Sequence, residues 1–195
     1  MKQIDLKNSL GKVDIYLLDQ FMKNRYSETD LILDAGCGSG RNFKFMSSLG
    51  FNITGCDIKK DEITKLKQDY PTHNLDISNL DNLQYPTDYF NHIICNAVLH
   101  FAKNEIEFKQ MISELYRVLK PSGTLFIRMT SVFGIENLIT PNNGQFNLPD
   151  GSNRFLLNTE LINYLKLNFD FIEPLKTVNV NNLRCMSRLV LRKTT

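Results

Sequence analysis

A chain of 195 residues, 42% hydrophobic and 23% charged, can bury a full core as a single globular domain without staples. Its formal net charge of +2 lacks the basic excess that a large nucleic-acid footprint needs, so nucleic acid is not the expected partner. No apolar run reaches membrane-spanning length, Met1 to Leu10 has no signal core, and Cys37, Cys56, Cys95 and Cys185 form no C-x-x-C pair, which together predict a cytoplasmic, reducing setting.

Ile15, Leu17, Leu18 and Phe21 recur at helical spacing and predict an amphipathic helix ahead of the first strand. Tyr16 and Tyr26 nearby are expected to pack on the sheet. Residues 31–35 form a short apolar run that reads as a buried parallel strand, broken at once by Gly36-Cys37-Gly38-Ser39-Gly40. Asn42, Phe43, Phe45, Met46 and Leu49 then give a helix that Gly50 closes. Strand, glycine turn and helix in that order bring backbone amides close to a ligand. A dinucleotide turn spaces its glycines G-x-G-x-x-G, yet position 41 is arginine and the third glycine comes one residue early, at Gly40.

Residues 51–56 read as the second strand, with Asp57 at its end, 21 residues beyond Gly36. A carboxylate at that distance suits the two hydroxyl donors of a ribose, and Ile58 beside it offers an apolar surface to a base. Ile63, Leu66 and Tyr70 predict a helix stopped by Pro71, and residues 72–75 a short third strand ending in Asp76-Ile77. Residues 89–95 read as the fourth strand, running into Asn96-Ala97-Val98-Leu99-His100-Phe101. Phe108, Met111, Ile112, Leu115 and Leu119 mark an amphipathic helix over 105–120, and residues 124–129 the fifth strand. From 130 to 153 regularity fades into a long loop read as a substrate lid. A last helix is predicted over 159–169, a sixth strand over 171–180, and a hairpin partner over 182–192. His73 and His92 read as surface or core residues.

The pattern Asp34-x-Gly36-x-Gly38-x-Gly40 resembles motif I of class I S-adenosylmethionine (SAM) methyltransferases, and Asn96 to Phe101 resembles motif IV. Leu119 to Leu125 is similar to the turn before the fifth strand of that class. The resemblance spans essentially residues 1–195 as one domain. It implies a Rossmann-like, doubly wound sheet of seven mostly parallel strands with an antiparallel C-terminal strand. It implies SAM as cofactor and S-adenosylhomocysteine (SAH) as product, with Asp34, Gly36, Cys37, Gly38, Gly40, Asn42, Asp57, Ile58, Asp76, Ile77 and Asn96 around the cofactor. An acid at Asp76 would accept from the adenine amine, and Asn96 would lie by the sulfonium. Gly40-Arg41-Asn42 and the ending 183–193 are further similar to the tellurite-resistance and thiopurine-type group, whose anion-binding residues carry over only to Arg184.

A sulfonium is an activated methyl donor, so the expected reaction is in-line displacement onto a small-molecule acceptor, aligned and shielded from water. Acidic acceptors need no base, whereas alcohols or amines need one, and His100 is the candidate. Arg154 and Arg184 could clamp an anionic acceptor. Two other readings stay open: an RNA or protein methyltransferase, against which the absence of an Asn-Pro-Pro-Tyr motif speaks, and a SAM-binding module without catalysis. A monomer or homodimer is expected.

Overall fold

The computed structural model describes residues 10–194. The elements in chain order are α1 (Ile15–Met22), β1 (Leu31–Ala35), α2 (Arg41–Ser48), β2 (Asn52–Asp57), α3 (Lys60–Asp69), β3 (Leu75–Ile77) and β4 (Phe90–Asn96). They continue with α4 (Glu105–Val118), β5 (Leu119–Ser131), β6 (Thr140–Asn142), β7 (Gln145–Asn147), β8 (Asn153–Arg154), α5 (Thr159–Leu165), β9 (Phe169–Phe171), β10 (Lys176–Val180) and β11 (Arg184–Lys193).

The main sheet runs β10-β11-β5-β4-β1-β2-β3, with β9 paired to the far end of β11. β1 lies between β2 and β4 and is parallel to both, which is why its residues after Leu31 are all buried. β11 is antiparallel to β5 and to β10, so the sheet is doubly wound and parallel except at this inserted strand. Successive side chains on a strand point to opposite faces. Leu33, Ile93, Ile127 and Leu189 therefore enter one core with α4 and α5, while Ile32, Ile94, Phe126 and Val190 enter the other with α1, α2 and α3. On α4, Phe108, Ile112 and Leu115 lie on one stripe and are buried, each contributing roughly 1.5–3 kcal/mol. The ends of β1, β2, β3, β4 and β5 meet on one edge of the sheet, where the chain turns at Gly36, Ile58, Ser78, Ala97 and Val132.

Three segments depart from the sequence expectation. Residues 130–153 contain a small antiparallel sheet, β6-β7-β8, held to the body by Gln145 Nε2 donating to the Ala102 carbonyl at 2.7 Å. The expected sixth strand is split into β9 and β10, because Pro174 has no donor and Glu173 turns inward to Arg188 and Arg25. The last helix ends at Leu165, ahead of the expected Phe169. No helix among the described residues is long and apolar enough to cross a membrane.

Candidate active site

The glycine turn is built by two interlocking sets of hydrogen bonds. The amides of Gly36 and Cys37 both donate to the Cys56 carbonyl, at 2.8 and 2.9 Å, which ties the turn to the end of β2. The Gly38 amide donates to Asp57 Oδ2 at 2.8 Å, and the Lys59 amide to Asp57 Oδ1 at 2.9 Å. The carboxylate is thus fixed, while each oxygen keeps lone-pair capacity for a further donor. Gly36 sits at φ +79°, and a Cβ there would collide with the Val98 side chain. Gly38 sits at φ +51°, and the nearest atom to a Cβ there is Asp57 Oδ2 at 4.0 Å, so its open side faces free space.

That space is a cavity of about 460 Å³. Gly36, Gly38, Asp57 and Ile58 form one wall; Ser78, Asn79, Leu80, Ala97, Val98, Phe101 and Met111 of α4 line the rest, with Lys59, Lys103 and Glu107 as its other charged residues. Two buried polar side chains at the strand ends have atoms with no hydrogen-bond partner among the described residues: Asp34 Oδ2, and both amide atoms of Asn96. Burial pushes the Asp34 carboxyl up to about 7; Arg41 and the Phe43 amide oppose this and Asp57 adds to it. Orphaned groups of this kind are rare in folded cores and point to a polar partner supplied by a ligand. Ala97, next to Asn96, holds φ +64°, a conformation that costs a side-chain-bearing residue about 1–2 kcal/mol. Its amide, donating to the Arg128 carbonyl at 2.7 Å, keeps it there.

A second cavity of about 310 Å³ shares Ala97 and Phe101 with the first. His100, in the helical turn Leu99–Phe101, lines it together with Thr130 and the arginines Arg41, Arg128, Arg154 and Arg184. The Thr130 amide donates to His100 Nδ1 at 3.4 Å, so in the neutral ring the proton sits on Nε2. Burial holds the His100 pKa down at about 4, and Arg154, Arg184 and Arg128 push the same way. At neutral pH His100 is therefore an uncharged imidazole whose Nε2–H is its free donor.

Of the residues singled out in the sequence, Gly36, Gly38, Asp57 and Ile58 converge on the first cavity, and His100 and Arg184 on the second. Asp34 and Asn96 stand buried at the adjoining ends of β1 and β4. Others serve the scaffold. The Cys37 thiol is buried in the core, where burial pushes its pKa up. Gly40 caps α2, and Asn42 Oδ1 accepts from the Asp14 amide at 3.1 Å, pinning the segment before α1 to α2. Asp76 lies outside the cavity: its carboxylate accepts from the Tyr85 hydroxyl at 3.0 Å in a separate hollow, and Ile77 is exposed. Ser78 and Asn79, just downstream, take the wall position expected of Asp76. Arg41 and Arg128 were missed because their convergence depends on the fold, although Arg41 adjoins the glycine turn. Tyr26 is buried with its ring edge-on to His92, as expected of a packing residue, and His92 is held by Asp30 and Thr124.

The family described as a methyltransferase domain matches residues 33–127, from within β1 to within β5. Over 97 residues, half of this chain, the sequence is 38% identical to the tRNA (carboxymethyluridine(34)-5-O)-methyltransferase of Arabidopsis thaliana. Over 80 residues, 38% of this chain, it is 34% identical to the probable S-adenosyl-L-methionine-dependent methyltransferase TehB of Haemophilus influenzae. The chain spans about a quarter of the length of these relatives, 23% and 27% respectively. Among solved structures, the 1,6-didemethyltoxoflavin-N1-methyltransferase of Burkholderia thailandensis, with bound acceptor and SAH, superposes with a TM-score of 0.73 at 17% identity. That match covers 98% of this chain and 82% of the other. Residues 33–127 therefore match the methyltransferase-domain family, and the chain shares the Rossmann-like fold of the solved structure it superposes on.

Proposed function

We propose that this protein is a SAM-dependent methyltransferase that transfers a methyl group to a small-molecule acceptor and releases SAH. The observation that carries this is the pairing of the glycine turn with Asp57 in one cavity that adjoins a second, polar one across Ala97 and Phe101. When bound, SAM would supply a sulfonium-activated methyl group, so the protein has only to bind, align and exclude water. Asp57 would accept from the ribose hydroxyls, Ile58 would offer an apolar face to the adenine, and Ser78 and Asn79 would offer polar groups to its edge. The orphaned Asp34 and Asn96 side chains fit the ammonium and carboxylate ends of a methionine tail. The match to TehB, together with Arg184, supports placing the chain near the tellurite-resistance group. Four buried free thiols fit a cytoplasmic location.

Calorimetric titration with SAM and SAH tests the assignment. Asp57→Ala should weaken binding about tenfold or more, since it removes a charge-assisted acceptor from two hydroxyls. A wild-type chain that fails to bind at millimolar SAM would end it. The match to a tRNA-modifying relative favours a macromolecular acceptor as the second reading. Transfer from labelled SAM to total RNA, and none to a metabolite extract, would install that reading in place of ours.

A further inference from the structure

The second cavity draws its charge from four places in the chain. Arg41 opens α2, Arg128 lies within β5, Arg154 lies on β8 and Arg184 opens β11. Two acids answer them. Asp14 Oδ2 takes Arg128 at 2.7 Å and Arg41 at 3.7 Å, and Asp150 Oδ2 takes Arg184 at 3.5 Å. Four guanidiniums against two carboxylates leave an excess of two positive charges around a cavity of about 310 Å³.

Arg154 carries no carboxylate among the described residues. Its Nη1 donates to the neighbouring Asn153 carbonyl at 2.7 Å, and its guanidinium lies over the Phe101 ring, 4.9 Å from the centroid. Phe101 is one of two residues common to both cavities, so this guanidinium stands at the wall they share. A planar fork of donors there is matched by a carboxylate, which it binds in bidentate fashion. The charge excess leaves room for a second anionic group among Arg41, Arg128 and Arg184.

The cavity also lacks a group to remove a proton. Its titratable and charged side chains are the four arginines, His100 and Asp150. His100 spends its Nδ1 lone pair on the Thr130 amide and presents Nε2–H. Asp150 is engaged by the Ser152 amide and hydroxyl, at 2.9 and 2.6 Å, and by Arg184. An acceptor must therefore arrive with its nucleophilic atom already ionised.

We propose that the acceptor is a small organic diacid, methylated on a carboxylate oxygen to give a methyl ester. The inference rests on the methyltransferase reading of the first cavity. A carboxylate oxygen lone pair forms the new O–C bond to the sulfonium methyl carbon. The C–S bond breaks with its electron pair going to sulfur, so the products are the ester and neutral-thioether SAH. No proton moves in this step.

The test uses malonate, succinate and glutarate as probes against the SAH-loaded chain in calorimetry. At least one diacid should bind, and Arg154→Met or Arg184→Met should weaken it about tenfold, the loss of one charge-assisted contact, with SAH affinity held within about twofold. With labelled SAM, the product should release volatile methanol in alkali, and turnover should be flat between about pH 6 and about pH 9, since no group near neutrality has to lose a proton. An SAH-binding chain that takes none of the three acids overturns the proposal, as does an alkali-stable product or acceptor binding that ignores both variants. A wild-type chain that does not bind SAH at all strikes at the first cavity instead, which keeps the two failures apart.

Discussion

Asp34→Asn should make the ligand-free protein more stable and the SAM complex weaker. Asp34 is buried at the end of β1, its Oδ2 has no partner among the described residues, and burial lifts its carboxyl from 3.8 to about 7. Between these values the folded chain holds a proton that the unfolded chain has lost. Stability therefore falls as pH rises from about 4 to about 7, and the full penalty stays in place above that. At about 1.36 kcal/mol per pK unit the penalty is roughly 4 kcal/mol at pH 8 and roughly 2 kcal/mol at pH 5. Asparagine never ionises and so escapes it, yet its amide inherits the partnerless position and costs about 1–3 kcal/mol. The net gain is about 1–3 kcal/mol at pH 8, shrinking to near zero at pH 5. Urea melts at both pH values read this as a midpoint shift of about 1 M at pH 8, given a slope of about 1–3 kcal/mol/M. SAM, whose ammonium would lose its carboxylate, should bind the variant more weakly in the same buffers. A variant less stable than wild type at pH 8, or a stability difference that does not change with pH, would refute the assignment of Asp34 as a charge held ready for a cation.

Gly36→Ala should destabilise the fold by about 2–4 kcal/mol, combining a left-handed φ with overpacking against Val98, and should weaken SAH binding. Adding Val98→Ala should restore part of the stability in thermal melts, because it removes the obstructing side chain; no recovery would mean that the collision is not the cause. Away from the site, Glu173 is pushed up by burial but held down at about 2 by Lys23 and Arg188, the latter only 1% exposed. Its stabilisation is fully present above the unfolded value of 4.5 and is lost as pH falls toward 2. Glu173→Gln should cost about 3 kcal/mol at neutral pH by leaving Arg188 buried without a counter-charge, and should flatten the acid limb of the unfolding curve.

Much of the architecture is encoded locally. Alternation of apolar runs with helical stripes, the glycines at 36 and 38 and the acid 21 residues beyond Gly36 predict the alternating strands and helices, the turn and the Asp57 wall, because strand burial, positive φ and strand-end position act over a few residues. The antiparallel C-terminal strand follows from the family resemblance of the whole chain. Other features have no local signal. Asp76 and Ser78 stand two residues apart, yet only Ser78 lines the cavity, since the turn after β3 carries Asp76 toward Tyr85. Residues 130–153 form a sheet whose strands are too short for their pattern to show. Arg41, Arg128, Arg154 and Arg184 come from four elements, and nothing near any of them in the chain announces the other three. The tautomer of His100 depends on a backbone amide 30 residues away. The glycine turn and the Asp57 wall of the first cavity are thus written into residues 34–58. The charge and proton state of the neighbouring cavity arise from distant residues meeting in a low-dielectric space, and packing alone brings them there.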